Sequence, residues 1–311
     1  MNKLDELFQD VQAYRSSTEF KQYMEFCAHF RLLGAYNSML VRTQRDGVRY
    51  VLTPSQWKKY NRRPVANSRP LVILMPFGPV DFVFDVSDTE HIPGLPEVEY
   101  EKELDMMSNP FKAEGKVVTQ EYLVMQENLK MLGIKLDLNL FSGSTLAAQI
   151  KREDGVELET IKYHGKSLGL YFPYHFRISI NSNAPDAEQF ASLCHELGHY
   201  FCNHMQPPTP DWWEPRDITQ QQEEFEAESV AWLVCQRHGI DNVSTERYLA
   251  GYLDKCEKVP QVAVGTIMSA VDQIERLFGK MNLSASPLYK FDDEFYRQVT
   301  GKRRVNNGRR R

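Results

Sequence analysis

The segment 192–204, SLCHELGHYFCNH, sets two histidines four residues apart with a glutamate directly after the first. In a helix, positions i and i+4 lie one turn apart on the same side. His195 and His199 can therefore both reach one tetrahedral Zn2+ at about 2.0–2.1 Å. Glu196 is turned by roughly 100° from His195, because a turn takes 3.6 residues. It can touch a water at such a metal without ligating the metal, which is the place a general base needs in the HExxH pattern. Phe190, Leu193, Leu197 and Phe201 recur at i, i+3, i+7 and i+11 and predict a helix over about 186–204 with one buried stripe. Gly198 costs such a helix about 1 kcal/mol relative to alanine, so the pattern predicts a neighbour approaching closely there. The competing reading is two core histidines in a structural helix. RISIN (177–181), a strand leading into the helix, favours the metal.

A catalytic zinc needs a third protein ligand and an open position. No HxxGxxH extension follows His199, which excludes a third histidine from that pattern, and His204 is expected to point away from the His195/His199 side. Downstream, QQEEFEAESVAWLVCQRHG places Glu224, Ala227, Glu228, Ala231 and Cys235 on one helical face. The small residues would let this helix pack against the histidine helix and present a carboxylate. Glu224 is the expected ligand and Glu228, one turn on, would orient a ligand histidine from behind. The reverse assignment is the alternative. Glu223 and Glu226 read as solvated charges.

The remaining chain sets the context. Of 311 residues, 42% are hydrophobic, enough for more than one core. No apolar run approaches the ~18 residues of a membrane span, and MNKLDELFQD has no apolar signal region. Five cysteines without a CxxC pair argue against a disulfide framework and for a reducing, cytoplasmic setting. Helices are predicted over 18–43, from TQEYLVMQENLKMLG to a stop at Gly133, and over about 221–238, 243–256 and 260–279. Thr53 before Pro54 predicts a helix start. PLVILMP and VDFVFDV read as paired strands, as do VELETIKYHG and GLYFPYHFRISIN. SNPFKAEGK (108–116) reads as a linker and MQPPTPDWWEPRDITQ as an ordered surface loop or lid. The fold class is α+β, with a small N-terminal domain at 1–115, a second domain with a small sheet and several helices at 116–285, and a basic tail at 286–311 too polar to bury a core.

The net charge of −5 is unevenly spread. Residues 41–70 carry Arg42, Arg45, Arg49, Lys58, Lys59, Arg62, Arg63 and Arg69 against Asp46 alone, interleaved with Tyr50, Trp57 and Tyr60. Cations neutralise phosphates and aromatic rings stack on unpaired bases, so this stretch is a candidate single-stranded-DNA surface, with Arg42, Arg45, Arg49, Trp57, Lys58, Lys59, Arg62 and Arg63 as contacts. The alternative is a solvated face over core aromatics. Residues 81–105 hold nine acids against Lys102, either plain surface or a cover for the basic face.

FASLCHELGHYF followed by EEFEAESVAWLV resembles the ImmA/IrrE-type metallopeptidases over about residues 160–240. The resemblance implies a zincin-like, gluzincin-type domain with an HExxH helix and a later helix bearing an acidic third ligand. AYNSMLVRTQ, TPSQWKKYNRRP and RPLVILMPFGPVDFVFDVSDTE resemble the N-terminal domain of ArdC-type antirestriction proteins, which implies single-stranded-DNA binding and a fusion to a zincin-like domain in this order. Together these lead to the expectation of a zinc metalloendopeptidase cleaving a protein partner. His195, His199 and Glu224 hold Zn2+, Glu196 is the general base, RISIN is an edge strand aligning the peptide, and Tyr171, Tyr174 or His175 stabilises the oxyanion. The rival reading is a non-proteolytic, DNA-protecting binder with a structural zinc.

Overall fold

The helix expected over 18–43 is two helices. The computed structural model, which describes residues 17–30, 32–75, 78–108, 119–139, 148–163, 166–240, 263–279 and 290–291, places α1 at Ser17–His29 and α2 at Ala35–Gln44. The break has a distant cause. The Arg237 guanidinium donates to the carbonyls of Cys27 at 2.8 Å, Phe30 at 3.3 Å and Leu33 at 2.9 Å, oxygens at and just past the helix end that no intrahelical amide reaches, and Ser38 Oγ adds a second donor to Phe30 at 2.8 Å. The Asp272 carboxylate accepts the amides of Ala35 (2.5 Å) and Tyr36 (3.1 Å) and so caps the first turn of α2 from another helix. A Cβ at position 34 would stand 2.9 Å from Asp272 Oδ1, which is why Gly34 fits there.

The chain continues through β1 (Val51–Leu52), α3 (Pro54–Trp57), β2 (Arg62–Pro64), β3 (Leu71–Met75), β4 (Gly78–Asp85), β5 (Thr89–His91), α4 (Glu101–Ser108), α5 (Thr119–Leu129), β6 (Ile134–Asn139), β7 (Ala148–Tyr163), β8 (Lys166–Asn181), α6 (Asp186–Phe201), α7 (Gln220–Arg237), α8 (Val264–Arg276) and β9 (Lys290–Phe291). The fold is α+β. The helix expected over 243–256 and residues 109–116 of the expected linker lie outside the described residues, as does the tail except for β9. No described helix is long and apolar enough to cross a membrane. Cys27, Cys194, Cys202 and Cys235 are buried free thiols.

Two units group these elements. The first holds α1–α4, β1–β5, α6, α7 and α8 as far as Glu275. Its three-stranded antiparallel sheet has the order β1-β4-β3, with Leu71 opposite Val83 and Val51 opposite Asp85, so the predicted strand pair is a hairpin with a third strand added. Val41, Val48, Val51, Leu71, Ile73 and Val83 pack with Phe30 into one core, and Tyr50, Leu52, Trp57, Tyr60 and Leu104 into another. Leu104 comes from α4, a helix that the acidic run 81–105 hides from a reading by charge. Thr53 caps α3 in a capping box with Gln56, behind Pro54. Phe20 of α1 meets Phe225 of α7 at 5.3 Å between ring centroids.

The second unit holds α5, β6–β9 and the loop 205–215. Gly133, at φ 70°, ends the helical segment before β6. β7 and β8 form a long antiparallel hairpin, and β6 joins β8 in parallel. Phe176, Ile178 and Ile180 alternate inward along β8. The expectation that RISIN is an edge strand is corrected by this order. Residues 177–180 face β6 on one side and β7 on the other, so their main-chain groups are already paired. Trp213 stacks on Phe176 at 5.8 Å and donates its indole N–H to the Met205 carbonyl at 2.8 Å, which makes 205–215 an ordered loop.

Candidate metal centre

The site is built by two helices held close together. A Cβ added at Gly198 would lie 2.9 Å from Cα and 3.0 Å from the carbonyl oxygen of Ala227, so only glycine lets α7 approach α6 at this depth. The close neighbour expected from Gly198 is therefore the acid-bearing helix. α7 begins at a capping box between Thr219 and Gln222, which fixes the turn from which Glu224 projects. Ala227, Ala231 and Cys235 are buried along the same face.

At this junction one nitrogen of His195, one of His199 and one oxygen of Glu224 lie within 4.8 Å of one another. His199 Nε2 is 3.2 Å from His195 Nε2, and Glu224 Oε2 is 3.5 Å from the first ring and 3.8 Å from the second. Donors about 2.0–2.1 Å from a common tetrahedral centre stand roughly 3.3 Å apart, so the three separations fit a small divalent metal. Glu228 does not join them: its Oε2 is 2.8 Å from His195 Nδ1, the opposite ring nitrogen. The two carboxylates thus occupy the places expected of a ligand and of a residue that orients a ligand.

The electrostatics agree with the donor set. Burial opposes the charged form of His195, but the hydrogen bonds its ring donates to Glu224 and Glu228, with the charge of Glu196, outweigh it and push the imidazole up to about 10. His199 moves the other way, to about 3, because burial and then the charge of the neighbouring His195 disfavour a second cation. The Glu224 carboxyl is lowered, chiefly by its hydrogen bond to His195. Glu196 is buried on the helix turn that follows His195.

Two expectations are corrected here. His204 does not point away. α6 stops at Phe201, Asn203 adopts φ 61°, and the amides of Asn203 and His204 bond back to the carbonyls of Tyr200 (3.2 Å) and His199 (3.0 Å). This is a Schellman ending with asparagine in the left-handed position. It folds His204 onto His199, with Nδ1 3.0 Å from Nδ1. Glu226 is not a solvated charge. It is 0% exposed, bonded to His204 Nε2 at 2.9 Å and gripped at both oxygens by Arg216. The signal for the first was Asn203 at a helix end; the second depends on Arg216 arriving from a loop, which spacing cannot show.

Tyr174 and His175 belong to the second unit. The Tyr174 ring lies under Lys135 Nζ at 5.5 Å and the Arg177 guanidinium at 5.9 Å, and His175 Nδ1 meets Asp154 Oδ1 at 2.6 Å. The backbone of Tyr171 pairs with Leu158 and Lys290.

The basic stretch is organised differently. Trp57 is corrected from a stacking platform to a core residue: it is 0% exposed and donates its indole N–H to Phe84 O at 2.9 Å. Tyr50 and Tyr60 are buried beside it. Arg42 pairs with Asp46, Arg45 with Asp88 at 2.5 Å, Arg49 with Glu101 at 3.8 Å and Arg63 with Glu90 at 2.9 Å. Arg62 donates to the Thr89 hydroxyl and carbonyl, both at 2.8 Å, beside the Tyr100 ring. The acidic run thus covers much of the basic face, partly through the β2–β5 ladder that sets Arg63 opposite Glu90. Lys58, Lys59 and Arg69 are exposed and have no carboxylate partner among the described residues.

Residues 155–235 match the model of peptidase family M78, the IrrE N-terminal-like domain, a span that includes His195, Glu196, His199, Glu224 and Glu228. Among solved structures the chain is similar to the antirestriction ArdC protein of plasmid R388. The metal-free form matches at 12% identity and TM-score 0.32, covering 79% of this chain and 84% of that one. The Mn(II)-bound form matches at 12% identity and TM-score 0.34, covering 80% and 86%. No curated protein gives a significant match.

Proposed function

We propose that this chain is a zinc-dependent metalloendopeptidase whose metal is held by His195, His199 and Glu224. The observation that carries the reading is the convergence of those three donors within 4.8 Å, with Glu228 on the far nitrogen of His195. A divalent metal held there supplies Lewis acidity, which polarises a peptide carbonyl and makes water more acidic. Glu196 accepts the proton that the attacking water loses and returns it to the amine nitrogen as the peptide bond breaks. Glu228 holds the His195 ring with Nε2 toward the ligand cluster.

A protein partner is the proposed substrate and single-stranded DNA the proposed second ligand. The functional division at residue 116 is one of chemistry: 1–115 for nucleic acid, 116–285 for cleavage. Support for DNA binding comes from Lys58 and Lys59, exposed and without a carboxylate partner among the described residues, and from Arg42, Arg45, Arg49, Arg62 and Arg63. The arginines would exchange carboxylates, or in Arg62 a threonine, for phosphates. Such binding should weaken steeply with salt and favour single strands over duplex.

The test is Glu196→Gln. Zinc content and folding should match the parent, while cleavage of a lysate protein, read as new N-termini, should fall roughly 10²–10⁴-fold. Cleavage at the parental rate with zinc intact would overturn the mechanism.

A further inference from the structure

We propose that Arg216, Glu226 and His204 form a buried relay of hydrogen bonds that fixes the ring tautomer of His199, so that its Nε2 faces the metal without a proton. The inference rests on the reading of His199 as a ligand and adds positioning residues that no helical spacing announces.

The chain of contacts has a direction, and it is set from the Arg216 end. Arginine is always charged and only donates. Its Nη2 reaches Glu226 Oε1 at 2.9 Å, its Nη1 reaches Oε2, and the Ala263 amide adds a third donor to Oε1 at 3.1 Å. Three donors on a carboxyl that is 0% exposed require the carboxylate. Glu226 Oε2 can then only accept from His204, so Nε2 of His204 carries the proton across the 2.9 Å contact. A neutral His204 protonated at Nε2 has a lone pair at Nδ1. With both rings neutral, that lone pair, 3.0 Å from His199 Nδ1, makes His199 Nδ1–H the donor. A neutral His199 protonated at Nδ1 has its lone pair at Nε2, the nitrogen 3.2 Å from His195 Nε2 and 3.8 Å from Glu224. The metal ligand is thus presented in the one neutral tautomer that can coordinate from that side.

Both metal-facing histidines now have a partner on the outer nitrogen. Glu228 serves His195 directly, and Glu226 serves His199 through His204. Such outer partners typically change metal affinity 10–100-fold. Cys202, His204 and Glu226 also bring a sulfur, a nitrogen and an oxygen close together. That group suits no second cation, because the Arg216 guanidinium already lies on both carboxylate oxygens.

The experiment uses the full chain and Zn2+, with affinity measured by competition against a chromophoric chelator. His204→Leu removes the acceptor and should weaken zinc roughly 10–100-fold. His204→Asn places an amide oxygen near the former Nδ1 and should restore affinity close to the parent, a rescue that a merely space-filling role would not give. Glu226→Gln turns an acceptor into a donor, and should reverse the His204 tautomer and lower affinity as His204→Leu does. In parallel, imidazole 15N–1H spectra of the metal-free parent should show His204 protonated at Nε2 and His199 at Nδ1. The opposite tautomers, parental affinity in His204→Leu, or equal weakness in His204→Asn and His204→Leu would each overturn the relay. Failure of the metal reading looks different: the parent would bind no zinc and His195→Ala would change nothing, while the spectra would still decide the tautomers.

Discussion

The histidine site and the basic stretch at 41–70 both concentrate charged side chains, and the fold treats them in opposite ways. At the site, three donors face one another across 3.2–3.8 Å and the hydrogen bonds that fix them come from behind, through Glu228 and His204. Along the basic stretch, most arginines are matched with acids from 46, 88, 90 and 101, and the aromatic rings between them go inward. Donors left facing one another mark a place where something else is to bind. Cations matched one by one mark a surface largely satisfied, and a phosphate must displace a carboxylate to reach Arg42, Arg45, Arg49 or Arg63, though not Lys58 or Lys59. The two regions also differ in depth. In Arg237–Glu275 the arginine is buried and the glutamate 21% exposed, whereas Arg63–Glu90 is about half exposed, so similar chemistry should weigh differently.

The largest expected effect sharpens the contrast at Trp57. Trp57→Ala should cost about 3–5 kcal/mol of stability, the range for emptying a packed aromatic site. Chemical denaturation would read this as a shift in midpoint. A fully stable variant that lost only DNA affinity would return Trp57 to the surface role.

Next comes the largely buried pair Arg237–Glu275. Burial raises the Glu275 carboxyl, but hydrogen bonds and charge from His238 and Arg237 outweigh it and bring it to about 2, with Asp272 also nearby. Its folded value lies below the unfolded one near 4.5. The stabilisation is therefore complete above about pH 4.5 and is lost as pH falls toward 2, by on the order of 3 kcal/mol. Urea denaturation between pH 6 and 3 should show Glu275→Gln less acid-sensitive than the parent; parallel slopes would refute the assignment.

Gly198→Ala should cost about 1–3 kcal/mol by pressing a methyl group onto the Ala227 backbone, and it should weaken zinc at the same time because Glu224 moves with α7. Unchanged thermal stability and zinc affinity would mean that the helices part without cost. The smallest effect is on the other side of the comparison. A double-mutant cycle on Arg63 and Glu90 should give only about 0.2–1 kcal/mol and shrink with salt. A coupling as large as that of a buried pair would erase the distinction between the two regions.

These contrasts follow what the sequence could disclose. The histidine helix, Glu224 and Glu228 were legible because their arrangement repeats with the helix period, which local spacing carries. Gly198 was legible as a penalty needing a reason. The β3–β4 and β7–β8 hairpins were legible from apolar runs on either side of a turn. What stayed hidden depends on partners distant in sequence or on a single backbone angle. The break between α1 and α2 needs Arg237 and Asp272. The place of RISIN between β6 and β7 needs the sheet order. His204 turns back on one left-handed asparagine, and Trp57 reads as a surface ring until Phe84 is found against it.

The capping of α2 by Asp272 has a consequence for synthesis. The helix start at Ala35 waits for a carboxylate 237 positions later. At about 5–20 residues per second a ribosome needs roughly 12 to 47 s to make that interval. Over that time α1 and α2 exist without the side chains that settle their junction, and Phe20 exists without Phe225. The first of the described helices to be made are among the last finished. A nascent chain stalled before Arg237 would leave the Cys27 carbonyl to water and the Phe30 and Leu33 carbonyls to the Ser38 hydroxyl alone, and the junction of α1 and α2 would be the natural point for chaperone capture or proteolysis.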